Sequence, residues 1–169
     1  GLLPWFVTIS NMQAADLGQI RAGNERVLRA RLSDARFFWE EDLKIPLGGR
    51  VPGLGSVVYQ EKLGTYLEKV ERVKDLARWL AREAGGVSEE DAERAAFLCK
   101  ADLVTGMVGE FPELQGVMGR HYALHAGEKP AVAEALLEAY LPRFAGDTLP
   151  KSALGAILSV ADRVDTICG

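Results

Sequence analysis

The sequence predicts a mainly α-helical domain with one strand and a long helix at its N-terminus. Apolar residues recur at helical spacing through most of the 169 residues, whereas a single stretch has strand composition. Ser, Pro and Gly fall where helices of that spacing would start and stop.

Taken in order, "PWFVTIS" (4–10) is aromatic and β-branched and ends at the turn-like Asn11, which predicts a strand paired with sheet outside this segment. From about Gly23, Val27, Leu28, Leu32, Ala35 and Trp39 mark a helix. The Gly- and Pro-rich "KIPLGGRVPGLGS" predicts a loop. "YQEKLGTYLEKVERVKDLARWLAREAG" carries Leu63, Tyr66, Leu67, Val70, Val73, Ala77 and Leu80 on one stripe and stops at Gly85. Ser88 is placed as the N-cap of "EEDAERAAFLCKADLVTGMV", whose first turn is acidic as the helix dipole prefers. Pro112 and Pro130 suit first helical positions and open "ELQGVMGRHYALHAG" and "AVAEALLEAYL". "RFAGDTLP" predicts a loop and "KSALGAILSVADRVDTIC" the last helix. Residues 1–20 are expected to close a preceding domain with a strand and linker, and residues 21–169 to form the helical domain. With no initiator Met and an end just after a helical pattern, the chain reads as a segment of something longer.

The composition, 48% hydrophobic and 26% charged, is that of an ordinary soluble protein. A net charge of −4 argues against a surface coated for nucleic acid but allows a local basic face. No apolar run approaches the ~20 residues of a membrane helix, and "GLLPWFVTIS" lacks the marks of a signal peptide. Cys99 and Cys168 stand singly in helical patterns, so a reducing cytoplasm is expected.

Three groups of residues could carry chemistry. His121 and His125 lie four apart on the helix after Pro112, on a stripe with Leu114, Val117, Met118 and Tyr122 that predicts a core-facing position. The spacing suits metal binding, yet the Glu of HExxH is missing and zinc needs at least three protein ligands. The plainer reading is two groove-lining histidines. Asp102 and Asp165 fall among apolar positions, with Asp162 beside the latter, and an inward carboxylate is costly unless it is paired or ligates something; the plainer reading is a bond to an Arg, a Lys or a helix N-terminus. Arg26, Arg29, Arg31 and Arg36 space along one helix, and Lys69, Arg72 and Lys74 along another. Guanidinium groups suit phosphate, although interleaved acids also suit a solvated face.

"GNERVLRARLSDARFFWEEDLK", "YQEKLGTYLEKVERV", "CKADLVTGMVGEFPELQGVMGRHYALHAGE", "YLPRFAGDTLP" and "VADRVDTI" together resemble the β subunit of bacterial glycyl-tRNA synthetase, the α2β2 type. The resemblance implies an HD-domain-like helical bundle, related in fold to metal-dependent phosphohydrolases. A working HD domain takes a His, a His-Asp pair and a later Asp as metal ligands. Here those places read Lys69, Ala101-Asp102 and Asp162, so half the ligand set is erased. A lysine at a ligand position would put an ammonium where the metal sits, paired with Asp102 or Asp162. The implied role is a non-catalytic module that contacts tRNA or braces its neighbours, with Arg26, Arg29, Arg31, Lys69, Arg72 and Arg120 as candidate tRNA contacts. The implied partners are the α subunit, tRNA-Gly and other β-subunit domains, without a membrane. No cofactor is expected in this segment, ATP and Mg being used in the α subunit. The alternative is an HD-type phosphohydrolase with Asp102, Asp162, His121 and His125 as an unusual ligand set.

Overall fold

Asp16 sets the start of the first helix. Its Oδ1 accepts from Gly18 N at 2.7 Å and Gln19 N at 3.3 Å, satisfying amide donors that a helix start leaves unpaired. In the computed structural model, which describes residues 3–11 and 16–169, α1 therefore spans Leu17–Asp42 and starts earlier than the expected Gly23. Residues 4–10 form no strand. A strand exists by its ladder, and the sheet expected to supply one was placed outside this segment. Part of the expected linker, residues 12–15, lies outside the described residues.

Two compact units divide the chain, Gly1–Phe38 and Trp39–Gly169, where the sequence placed a division at residue 20. The first holds the irregular N-terminal residues and most of α1. Its apolar side chains are largely exposed, Val27 at 63% and Leu32 at 69% among them.

The second unit contains the core. Helices α3 (Tyr66–Ala84), α4 (Glu89–Leu98), α7 (Pro130–Glu138) and α8 (Ala153–Cys168) form its frame, with α3 packed on α4 and α8, and α7 on α8. Val70, Val73, Ala77 and Ala81 of α3 are buried, as are Ala92, Ala95 and Ala96 of α4 and Leu154, Leu158 and Ala161 of α8. The many alanines let helix axes approach closely, so long polar side chains from α3 reach α8. Shorter helices α2 (Leu47–Arg50), α5 (Gly106–Glu110) and α6 (Val117–His125) complete the bundle. Eight α-helices and one two-stranded sheet among the described residues make the chain mainly α.

Further expected elements differ. The supposed loop at 44–56 contains α2 and a 3-10 helix, Val51–Ser56, which bury Leu47, Val51 and Leu54. The helix expected from Tyr59 begins with a hairpin instead, β1 (Val58–Gln60) against β2 (Gly64–Thr65). Gly64 sits at φ +83, and a Cβ there would lie 2.0 Å from Glu68 Oε2, so glycine is required at the turn. Thr65 and Glu68 then close a capping box that starts α3. Finally, the helix after Ser88 breaks at Leu98 and continues as a 3-10 turn, Ala101–Val104, and α5. That break turns Lys100 and Asp102 inward.

Candidate functional site

Two lysines and two aspartates meet between α3, α8 and the turn after α4. Lys69 Nζ lies 2.8 Å from Asp165 Oδ2 and 3.2 Å from Asp162 Oδ1, and is 2% exposed. It also donates to Thr166 Oγ1 at 3.0 Å and lies 4.5 Å from the centre of the Tyr59 ring. Lys100 Nζ donates to Asp162 Oδ2 at 3.0 Å and sits 4.4 Å from the centre of the Tyr140 ring. Arg72, one turn beyond Lys69, holds the other oxygen of Asp165 with Nε–Oδ1 2.5 Å. Asp162 is thus bracketed by two ammoniums, and Asp165 by an ammonium and a guanidinium.

Burial alone would push the Lys69 ammonium down, but Asp165 and Asp162 outweigh it and hold the group above the ordinary lysine range. Burial also opposes the charge on Lys100, which its negative surroundings, Asp162 among them, hold well up. For Asp165 burial works upward, and Arg72 and Lys69 bring the carboxyl below its usual range. Lys69, Lys100 and Asp165 are therefore charged at neutral pH, with both ammoniums set against aspartate oxygens. Protonated lysines have no lone pair to offer a metal, and both oxygens of Asp162 face ammoniums, so this donor set does not fit a divalent cation. Nearby Cys99 is buried, and its thiol is pushed up to about 12, so it is an inert core residue.

The residues singled out in the sequence are scattered. Lys69 meets Asp162 but not Asp102. Asp102 turns to α6, where its Oδ2 accepts from Gly116 N at 2.6 Å and Gly119 N at 3.0 Å. Gly116, at φ +79, lies against the Tyr140 ring, where a Cβ would come within 2.5 Å. Ala101 is buried and offers no polar atom.

His121 and His125 are exposed rather than core-facing, a correction with a clear cause. The helix expected from Pro112 starts only at Val117, after the bend at Gly116, and its inward positions are Met118, Gly119, Tyr122 and Ala123. The histidines fall just off that stripe, His125 edge-on to Trp39 with ring centres 6.4 Å apart. Tyr122 goes inward and donates to Asp42 Oδ2 at 2.8 Å. Asp102, Asp162 and the two histidines do not come together, and among the described residues no three His, Cys, Asp or Glu side chains gather as a metal site would need.

The six candidate tRNA contacts also separate. Arg26, Arg29 and Arg31 are exposed on α1. Lys69 and Arg72 are committed to Asp165, and Arg120 lies 3.4 Å from Glu134.

Lys100 and Asp42 are the informative residues that the sequence hid. Asp42 is buried, and its carboxylate accepts from Gly106 N at 2.9 Å and Met107 N at 2.8 Å while pairing with Arg50 at 3.2 Å. In "WEEDL" nothing distinguishes it from its exposed neighbours Glu40 and Glu41. Lys100 follows directly on Cys99, so no helical stripe contains it, and only the break at Leu98 turns it inward.

Among the described residues, no helix is long and apolar enough to cross a membrane. The family model described as "Glycyl-tRNA synthetase beta subunit" matches residues 1–169. The glycine–tRNA ligase beta subunit of Trichlorobacter lovleyi is 60% identical over 168 residues, 99% of this chain and 24% of that protein. Those of Syntrophotalea carbinolica and Geobacter sulfurreducens are 59% and 58% identical over the same shares. The chain thus spans about a quarter of the length of the curated relatives it matches. By the match along its whole length, the chain belongs to the glycyl-tRNA synthetase beta subunit family.

Proposed function

We propose that this chain serves glycine–tRNA ligation as a non-catalytic module, in which Lys69 and Lys100 stand in for the metal of an HD domain and α1 contacts tRNA. The observation that carries the first half is the pair of ammoniums on Asp162, at 3.2 and 3.0 Å. A module whose acids are neutralised by lysines keeps the helical frame and needs no ion to hold α3 against α8. The adenylation and transfer chemistry, with ATP and Mg, belongs on this reading to the partner α subunit.

The charge distribution supports the second half. Residues 1–38 carry Arg21, Arg26, Arg29, Arg31 and Arg36 against Asp16, Glu25 and Asp34, a positive balance in a chain of net charge −4. Arg26, Arg29 and Arg31 are exposed, whereas Lys69 has no surface to offer and Arg72 is tied to Asp165. Contacts from such residues go to phosphates and position the RNA without reading its bases.

The test is a titration of labelled tRNA-Gly against the full-length subunit at ~50 and ~200 mM salt, where phosphate contacts make affinity fall steeply. Arg26→Glu is expected to weaken binding and reduce the salt slope by about one. Unchanged affinity in the variant would leave the module as a scaffold that contacts only protein.

A further inference from the structure

The N-terminal unit has a groove of about 1660 Å³ that nothing so far explains. One wall is the irregular stretch Leu3–Ser10, and the other is α1 from Leu17 to Arg36. Its apolar lining includes Leu17, Leu28 and Leu32, exposed to 72, 40 and 69%. With Trp5 and Phe6 from the other wall, these side chains form an apolar patch, interrupted on α1 at Asn24, that is larger than isolated surface residues and typical of an interaction site.

Arg21, Arg29 and Arg36 run along one edge of that patch. Arg29 and Arg36 are two turns apart, and neither has an ion-pair partner among the described residues. The one acid in the lining, Glu25, already faces Arg21 at 3.7 Å. The groove is therefore an apolar floor beside uncompensated positive charge.

We infer that this groove docks a polypeptide segment with an apolar stripe edged by carboxylates. Unpaired RNA is the other polyanion to consider, but nucleotides bind by stacking on aromatic faces. Trp5 and Phe6 on the other wall offer such faces, but a ribose-phosphate chain stacked there would leave the α1 side chains Leu17, Ile20, Leu28 and Leu32 in water. A segment with Leu, Ile or Val on one side and Asp or Glu at its edge buries the floor and pairs with Arg29 and Arg36 together. Room for such a segment exists, since the matched stretch is 24% of each relative's length. Arg26, two residues before Leu28 and so on the opposite side of the helix, stays free for tRNA. Arg29 lines the groove and is also a candidate tRNA contact, so the tRNA reading is tested on Arg26, which the groove does not use.

Replacing Leu32 with the photo-cross-linker benzoylphenylalanine in the full-length protein, with tRNA-Gly present, tests it directly. Irradiation, digestion and mass spectrometry should give a peptide of the enzyme with at least two Asp or Glu within one helical turn of apolar residues. The yield should fall about tenfold in Arg29→Glu/Arg36→Glu, where two attractions become repulsions. The same probe at position 26 should give no such peptide. Cross-linking of Leu32 to tRNA, a peptide without carboxylates, or no cross-link at all overturns the proposal. The tRNA reading is judged separately, by the affinity of Arg26→Glu.

Discussion

The chain uses its cations in two opposite ways. In the second unit, Lys69 and Lys100 are buried against Asp162 and Asp165, while the arginines of α1 in the first unit stand exposed on a single helix. A buried ion pair gives little net stability relative to apolar packing, yet breaking it is costly because the surviving charge is left without solvent. An exposed cation costs little to remove and is free to act on a partner. Burial therefore decides which positive charges hold the fold and which are available for recognition.

Removing a buried cation should show the largest effect. Lys69→Ala leaves one oxygen of Asp162 and one of Asp165 without their ammonium, and a loss of about 3–5 kcal/mol is expected in urea unfolding. A loss below about 1 kcal/mol would erase the distinction between the two regions.

The pH dependence sharpens it. Asp165 is depressed in the folded state, so its contribution is present above the ordinary carboxylate value near ~4 and is lost as pH falls through its lower folded value. Lys69 and Lys100 are raised, so theirs is complete below about pH 10 and is lost as pH rises through their higher folded values. Urea midpoints measured from acid to alkaline pH should show a plateau between those limits, and Lys69→Met should weaken the alkaline fall.

A smaller loss is expected at the separate buried cluster around Asp42. Tyr122→Phe removes one buried hydrogen bond and should cost about 1–1.5 kcal/mol by chemical denaturation. At the bottom of the scale, Arg26→Ala and His121→Ala should each change stability by less than about 0.5 kcal/mol, since both residues are exposed. Arg26→Ala should nevertheless weaken tRNA binding, which separates recognition from folding.

Much of this was legible in the sequence, for reasons that can be named. The frame helices carry apolar repeats, and their existence follows from that period together with starts such as Ser88 and Pro130. The hairpin was hidden because Leu63, Tyr66 and Leu67 mimic a helical stripe, although the T-x-x-E of Thr65 and Glu68 marked where the helix starts. Likewise, Leu47, Val51 and Leu54 carry helical spacing inside a stretch whose Gly and Pro content suggested only a loop. At the site, acids among apolar positions drew notice to Asp102 and Asp165 because their burial demands a partner. Which partner each took was not legible. Asp102 pairs with backbone amides of α6, and Lys100 reaches Asp162 only because the helix breaks after Leu98. The histidines misled because a displaced helix start shifts every inward position.

The central claim is that lysine ammoniums replace a metal between α3 and α8, and metal loading of the full-length protein tests it most directly. After chelation and exposure to Mn, Fe or Zn, the protein should retain only substoichiometric metal, and its thermal midpoint should not move. One equivalent retained with a raised midpoint, both lost in Asp162→Ala, would contradict the account.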